Sequence, residues 1–169
     1  LKVIEDASES LGSFYKKKHL GTFGDIGVLS FNGNKIITTG GGGAIITNHK
    51  YLHEKALELS KISRKQNNDW TYDYKNLGFN YRMPGLNASL GISQLKKLNY
   101  ILKKKEKIFF LYEKKISSDL DFRLIKPIKN STSNHWLNSI IIDKCNFKLR
   151  NRILKEINKR KISIRPVWK

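Results

Sequence analysis

The chain has 169 residues, 39% hydrophobic and 11% aromatic, enough for one good core and too apolar for a disordered tail. Its formal charge of +19, from 33 Lys and Arg against 14 Asp and Glu, invites a polyanion partner. The lysines, however, are spread along the whole chain among Asn and Ile, with no zinc-finger spacing or aromatic–basic RNA-binding signature. No apolar run is long enough to cross a bilayer, and the single Cys145 excludes an intrachain disulfide framework and fits a reducing compartment. These features predict a cytoplasmic protein with no nucleic-acid or membrane partner. His19, His49, His53 and His135 have no supporting ligands nearby in sequence, so they read as surface residues and no metal site is expected.

In chain order, residues 1–6 alternate apolar and polar and end on two carboxylates, Glu5 and Asp6. Carboxylates at the carboxyl end of a strand in an α/β sheet lie where ligands bind. Residues 7–13 predict a short turn or helix, 14–21 an exposed lysine-bearing excursion, and 21–25 a turn. Residues 26–31 read as a strand that delivers Asn32-Gly33-Asn34-Lys35, followed by the apolar pair Ile36-Ile37, four glycines from Gly40 to Gly43, and a strand over 44–47. A lysine held in a turn between buried strands differs from one on a solvated helix face. Burial disfavours the ammonium form, and a neutral amine attacks carbonyls, which is Schiff-base chemistry. The alternative at this point is a hairpin with a solvated lysine at its tip.

Helices are predicted over 50–64, with Leu52, Ala56, Leu59 and Ser60 on one face, and over 86–117, with a bend near Gly91 or Asn99. Between them, residues 65–76 form a long polar and aromatic loop, and 77–85 a packed connector in which Tyr81 and Met83 fill core. Beyond 117 the texture changes: strands at 122–125, 136–142 and 163–167 surround a helix at 147–160. The boundary of a second, smaller domain is expected at 117–121. The chain opens and closes inside apparent strands, so it reads as a piece of a longer protein.

Three blocks in this order resemble the DegT/DnrJ/EryC1/StrS family of pyridoxal-phosphate-dependent sugar aminotransferases. They are Val3-Ile4-Glu5-Asp6-Ala7-Ser8-Glu9-Ser10-Leu11-Gly12-Ser13, then residues 21–43 with Ser30-Phe31-Asn32-Gly33-Asn34-Lys35, then Leu77-Gly78-Phe79-Asn80-Tyr81-Arg82-Met83. The resemblance implies an α/β fold of the aspartate-aminotransferase type (fold type I). Residues 1–117 would be the later part of the cofactor-binding large domain and 118–169 the start of a small α+β domain. It implies pyridoxal 5′-phosphate as cofactor, with Lys35 as its Schiff-base lysine and acid/base. Asp6 would pair with the pyridine nitrogen, Ser30 with the phosphate, and Asn80 with the phosphate in a neighbouring subunit, hence a homodimer with shared sites. Glu9 resembles the position near the cofactor's phenolic oxygen, where many relatives carry Gln or His. Arg82 is expected to be structural. The implied partners are a nucleotide-linked keto-deoxy sugar, for surface glycans, and an amino-acid donor such as glutamate. A dehydratase branch has His at the lysine position, so Lys35 points to transamination. The alternatives are a non-enzymatic remnant of the same family and a basic nucleic-acid-binding module.

Overall fold

The computed structural model describes residues 1–65, 70, 72–116, 122–142 and 147–167. Cys145, the expected boundary at 117–121 and most of the polar stretch at 66–71 lie outside them. The elements in chain order are β1 (Ile4–Asp6), β2 (Phe14–Tyr15), β3 (Lys18–His19), β4 (Ile26–Ser30), β5 (Gly43–Ile46), α1 (Lys50–Ser60), α2 (Gly85–Lys96) and α3 (Leu98–Lys115). They continue with β6 (Phe122–Leu124), β7 (Ser131–Thr132), β8 (Ile140–Ile142) and α4 (Phe147–Lys159). The chain divides into two compact units, Leu1–Ile108 with Pro127–Trp136, and Phe109–Lys126 with Leu137–Lys169.

In the first unit β4 is the central strand. It runs parallel to β1, in register from Ile4↔Ile26 to Asp6↔Val28, and antiparallel to β5, from Gly27↔Ile46 to Ser30↔Gly43. Because β1 and β4 are parallel, Asp6 and Ser30 leave the sheet at the same end, the place where open α/β sheets bind ligands. The crossover from β1 to β4 is held close to the sheet by Glu5, whose carboxylate accepts the amides of Gly21 (2.8 Å) and Gly24 (2.5 Å). Desolvation pushes this carboxyl up, but the N–H groups of Gly24, Gly21 and Phe23, with the charge of Lys18, outweigh it and hold Glu5 below the usual carboxylate range. Gly27 is there for space: a Cβ on it would sit 1.9 Å from the Gly21 carbonyl oxygen.

The lysine-bearing excursion is a structured hairpin rather than a loose loop. β2 pairs with β3 through Tyr15↔Lys18, leaving Lys16 and Lys17 as a two-residue turn with φ of 47° and 65°. Two successive left-handed residues are what a type I′ hairpin turn needs, a role usually given to Asn-Gly. β2 also pairs with β7, which brings residues 127–136 back to the first unit. The core there gathers Ile36, Ile37 and Trp136, with Leu11, Phe31, Leu98, Ile101 and Leu102 packed around them.

The helical stretch expected over 86–117 is two helices, α2 and α3, meeting at Lys97 (φ −98°, ψ 0°), close to Asn99, one of the two places where a bend is expected. Gly91 does not bend the chain. It is buried inside α2, where a Cβ would come within 2.8 Å of the Thr39 methyl group. The connector at 77–85 is not packed as expected: Tyr81 is 77% exposed and stacks on Phe79 at 5.1 Å, while Met83 is half-buried.

The second unit contains the antiparallel pair β6–β8, in register from Phe122↔Ile142 to Leu124↔Ile140, and α4. Among the described residues, Phe109 and Leu124 are its buried apolar side chains, and Lys126 pairs with Glu113 at 2.6 Å. The strand expected at 163–167 does not form. Asn158 instead ties the chain after α4 to the helix, donating to the carbonyls of Leu154 (2.7 Å) and Ile164 (3.0 Å).

Candidate active site

Lys35 lies in the connection between β4 and β5, not in a tight hairpin. β4 ends at Ser30, and the chain turns through Asn32–Lys35 with the Lys35 amide donating to the Asn32 carbonyl at 3.1 Å. The return limb is fixed by Phe31, whose amide donates to the Gly42 carbonyl (2.9 Å) and whose carbonyl accepts the Thr39 amide (3.0 Å). Ile36 and Ile37, only 8% and 2% exposed, anchor the loop in the core although neither belongs to a strand. Burying these two neighbours leaves the Lys35 side chain little freedom to leave the surface it lies on.

That side chain is 14% exposed, with Nζ 3.0 Å from Glu9 Oε1 and 4.3 Å from the centroid of the Trp136 ring. An apolar pocket that strips the amine of charge partners is therefore not what the fold provides. A carboxylate and an aromatic face both attract the cation, the first by Coulomb attraction and hydrogen bonding and the second through the ring quadrupole. Ser8, Glu9, Leu11, Ser30, Lys35, Ile36 and Ile37 line a shallow surface depression beside the amine.

Asp6 sits at the end of β1, exposed, with Oδ1 accepting from the Ser8 amide (3.1 Å) and the Ser8 hydroxyl. The Ser8 hydroxyl and then its amide lower the Asp6 carboxyl against a smaller desolvation effect, and the charge of Lys35 lowers it further. It is a carboxylate built to stay ionised. Ser30 Oγ accepts from the Asn32 amide at 3.3 Å, so its own proton stays available to a ligand oxygen.

Glu9, Ser30 and Lys35 thus come together around one depression, with Asp6 close enough for Lys35 to act on its charge. Asn80 does not join them. It is exposed and forms an isolated antiparallel bridge with Lys61, and among the described residues no hydrogen bond links its side chain to the Lys35 group. Arg82 is exposed as well. His19 and His135 are half-buried rather than surface residues; His19 Nε2 accepts the Gly12 amide at 3.0 Å. Among the described residues, no three His, Cys, Asp or Glu side chains gather as a metal site.

Two neighbours of the site lie about a hundred residues further along the chain. Trp136, 8% exposed, offers its ring to Lys35 and donates its indole N–H to the Asn34 carbonyl at 2.6 Å. Asn134, 4% exposed, donates to the carbonyls of Glu9 (2.7 Å) and Leu11 (3.0 Å). In the sequence the only hint is an Asn and a Trp two residues apart between stretches of strand-like composition.

The family model for the DegT/DnrJ/EryC1/StrS aminotransferases matches residues 1–169. The chain belongs to that family. It is 38% identical over 167 residues to the putative pyridoxal phosphate-dependent aminotransferase EpsN of Bacillus subtilis, covering 99% of this chain and 42% of that protein. It is 36% identical over 170 residues to the GDP-perosamine synthase of Escherichia coli O157:H7, covering 99% of this chain and 44% of that one. Among solved structures it is similar to Helicobacter pylori PseC, an aminotransferase involved in pseudaminic acid biosynthesis. There the TM-score is 0.89 at 31% identity, over 95% of this chain and 43% of PseC. The chain therefore spans less than half the length of these relatives, and its mixed α/β structure matches the corresponding part of an aminotransferase of the family. Among the described residues, no helix is long and apolar enough to cross a membrane.

Proposed function

We propose that the complete protein is a pyridoxal-phosphate-dependent aminotransferase. It moves an amino group from an amino acid, glutamate in the first instance, to a keto-deoxy sugar carried on a nucleotide, for surface glycan synthesis. The observation that carries this reading is the Lys35 amine: it is held between Glu9 and Trp136 and opens on a depression that also presents the Ser30 hydroxyl. The donor set fits a phosphorylated aldehyde, with an amine to meet the carbonyl, a free hydroxyl proton for the phosphate, and an ionised carboxylate alongside. The sugar-aminotransferase names of the relatives support the substrate class.

When bound, the cofactor supplies an aldehyde and a ring that spreads the charge left by a departing proton. The residues of this chain do the rest. Lys35 Nζ takes and returns that proton, and Asp6 serves as counter-charge to a protonated ring nitrogen. Ser30 Oγ donates to a phosphate oxygen. Glu9 accepts from Lys35 Nζ and orients the amine instead of facing an oxyanion. Asn80, exposed on its bridge to Lys61, suits donation to a second subunit's site, and hence a homodimer. Residues 1–117 belong in this reading to the cofactor-binding domain, and 118–169 begin the smaller one. The test is Lys35→Ala in the complete protein, which abolishes amination of a keto-sugar nucleotide with the dimer intact; retained turnover removes Lys35 from the mechanism.

A further inference from the structure

The turn Asn134-His135-Trp136 is more tightly specified than its length requires. His135 adopts φ +47°, a left-handed conformation uncommon outside glycine, although histidine is among the residues that take it most readily. Its two neighbours in the turn are fixed by hydrogen bonds. The Asn134 amide donates to Ser13 Oγ (3.0 Å), and the Asn134 Oδ1 accepts the Trp136 amide (2.9 Å). Asn134 Nδ2 spends both protons, on the carbonyls of Glu9 and Leu11, and Lys105 Nζ donates to the Trp136 carbonyl at 3.0 Å. The Trp136 indole N–H reaches the Asn34 carbonyl.

Where these bonds land is the informative part. Asn134 holds the backbone of Glu9, and Trp136 holds the backbone of the residue before Lys35; Glu9 and Lys35 are the two members of the ion pair at the site. The Trp136 ring then covers the Lys35 ammonium from a third direction. A turn that served only to fill the core would need neither tooth to fall on these two positions.

We propose that Asn134 and Trp136 form a clamp that positions the Lys35 amine against Glu9, Trp136 being the positioning residue for the lysine itself. The clamp's relevance to catalysis rests on the aminotransferase reading of Lys35. Its geometry does not, and the two can fail separately. With lysine labelled at Cε, the Cε protons of Lys35, assigned with Lys35→Arg, resonate upfield of the other lysines because they lie over the indole ring. That shift disappears in Trp136→Leu and is largely restored in Trp136→Phe, which keeps a ring and loses the bond to Asn34. The backbone amide spectrum reports whether each variant is folded, and the unaltered chain alone already decides the first point. No upfield shift there, or one that survives in Trp136→Leu, overturns the clamp.

The second readout is borohydride trapping of pyridoxal phosphate, quantified at Lys35 against all other lysines. Trp136→Leu lowers the Lys35 share about tenfold, and Trp136→Phe recovers most of it. An unchanged share in a folded Trp136→Leu overturns the positioning role. A complete protein that shows the upfield shift but takes no adduct at Lys35 upholds the clamp and contradicts the functional reading.

Discussion

At the scale of single residues, the site is an arrangement of charges rather than an apolar trap for an amine. Lys35 meets a carboxylate and an aromatic face, while Asp6 is kept ionised chiefly by Ser8. Ser8→Ala therefore raises the Asp6 carboxyl towards its ordinary value, and Lys35→Ala raises it by less, since the lysine is the weaker cause; a carboxyl titration followed by NMR checks the order. In the complete protein, Asp6→Asn slows the proton transfer by about a hundredfold or more, because the ring nitrogen loses its counter-charge. An unchanged rate means that another group holds the ring nitrogen protonated. Lys35 and Asp6 stood out in the sequence at strand ends, but their roles, and Ser30 altogether, came from the resemblance of the three blocks to the family. Trp136 and Asn134 did not stand out. Their contacts to Asn34 and Glu9 span 102 and 125 residues and leave no local pattern.

At the scale of elements, steric and backbone detail decides what periodicity cannot. The crossover between β1 and β4 packs its carbonyl against Gly27, so Gly27→Ala forces a backbone clash. It costs about 3 kcal/mol or more, read as a large drop in the unfolding midpoint of the folded chain. Lys17→Gly acts in the opposite direction. Removing a Cβ at φ +65° stabilises the β2–β3 hairpin by about 0.5–1 kcal/mol, less whatever the extra freedom of the unfolded chain takes back. That hairpin was illegible because its turn uses Lys-Lys where Asn-Gly would have announced it. Of the two places expected for a break between 86 and 117, the one near Asn99 holds, at Lys97, whereas Gly91 is a contact point for Thr39 and not a hinge. Glu5 adds a pH dependence to the same crossover. Its folded carboxyl lies below its ordinary value, so its stabilisation is present above the unfolded value and is lost as pH falls through the folded one. Glu5→Gln flattens the acid limb of a stability–pH curve, and an unaltered limb would assign it to other carboxylates.

At the scale of the whole molecule, the strong positive charge names no partner by itself. Its lysines are spread along the sequence, whereas three short blocks in order were enough to place the chain in its family. Those blocks work because parallel β1 and β4 must end on the same side of the sheet, so residues 22 positions apart in sequence, such as Asp6 and Val28, become neighbours. The same topology makes folding and cofactor binding linked. Pyridoxal phosphate at a hundredfold excess over its dissociation constant should stabilise the complete protein by about 2.7 kcal/mol, and Lys35→Ala should forfeit most of that gain. The most direct measurement is borohydride trapping of pyridoxal phosphate on the complete protein, followed by peptide mapping. A reduced pyridoxyl group confined to Lys35 is the predicted result. Labelling scattered over the surface lysines, with Lys35 unmodified, would contradict the account.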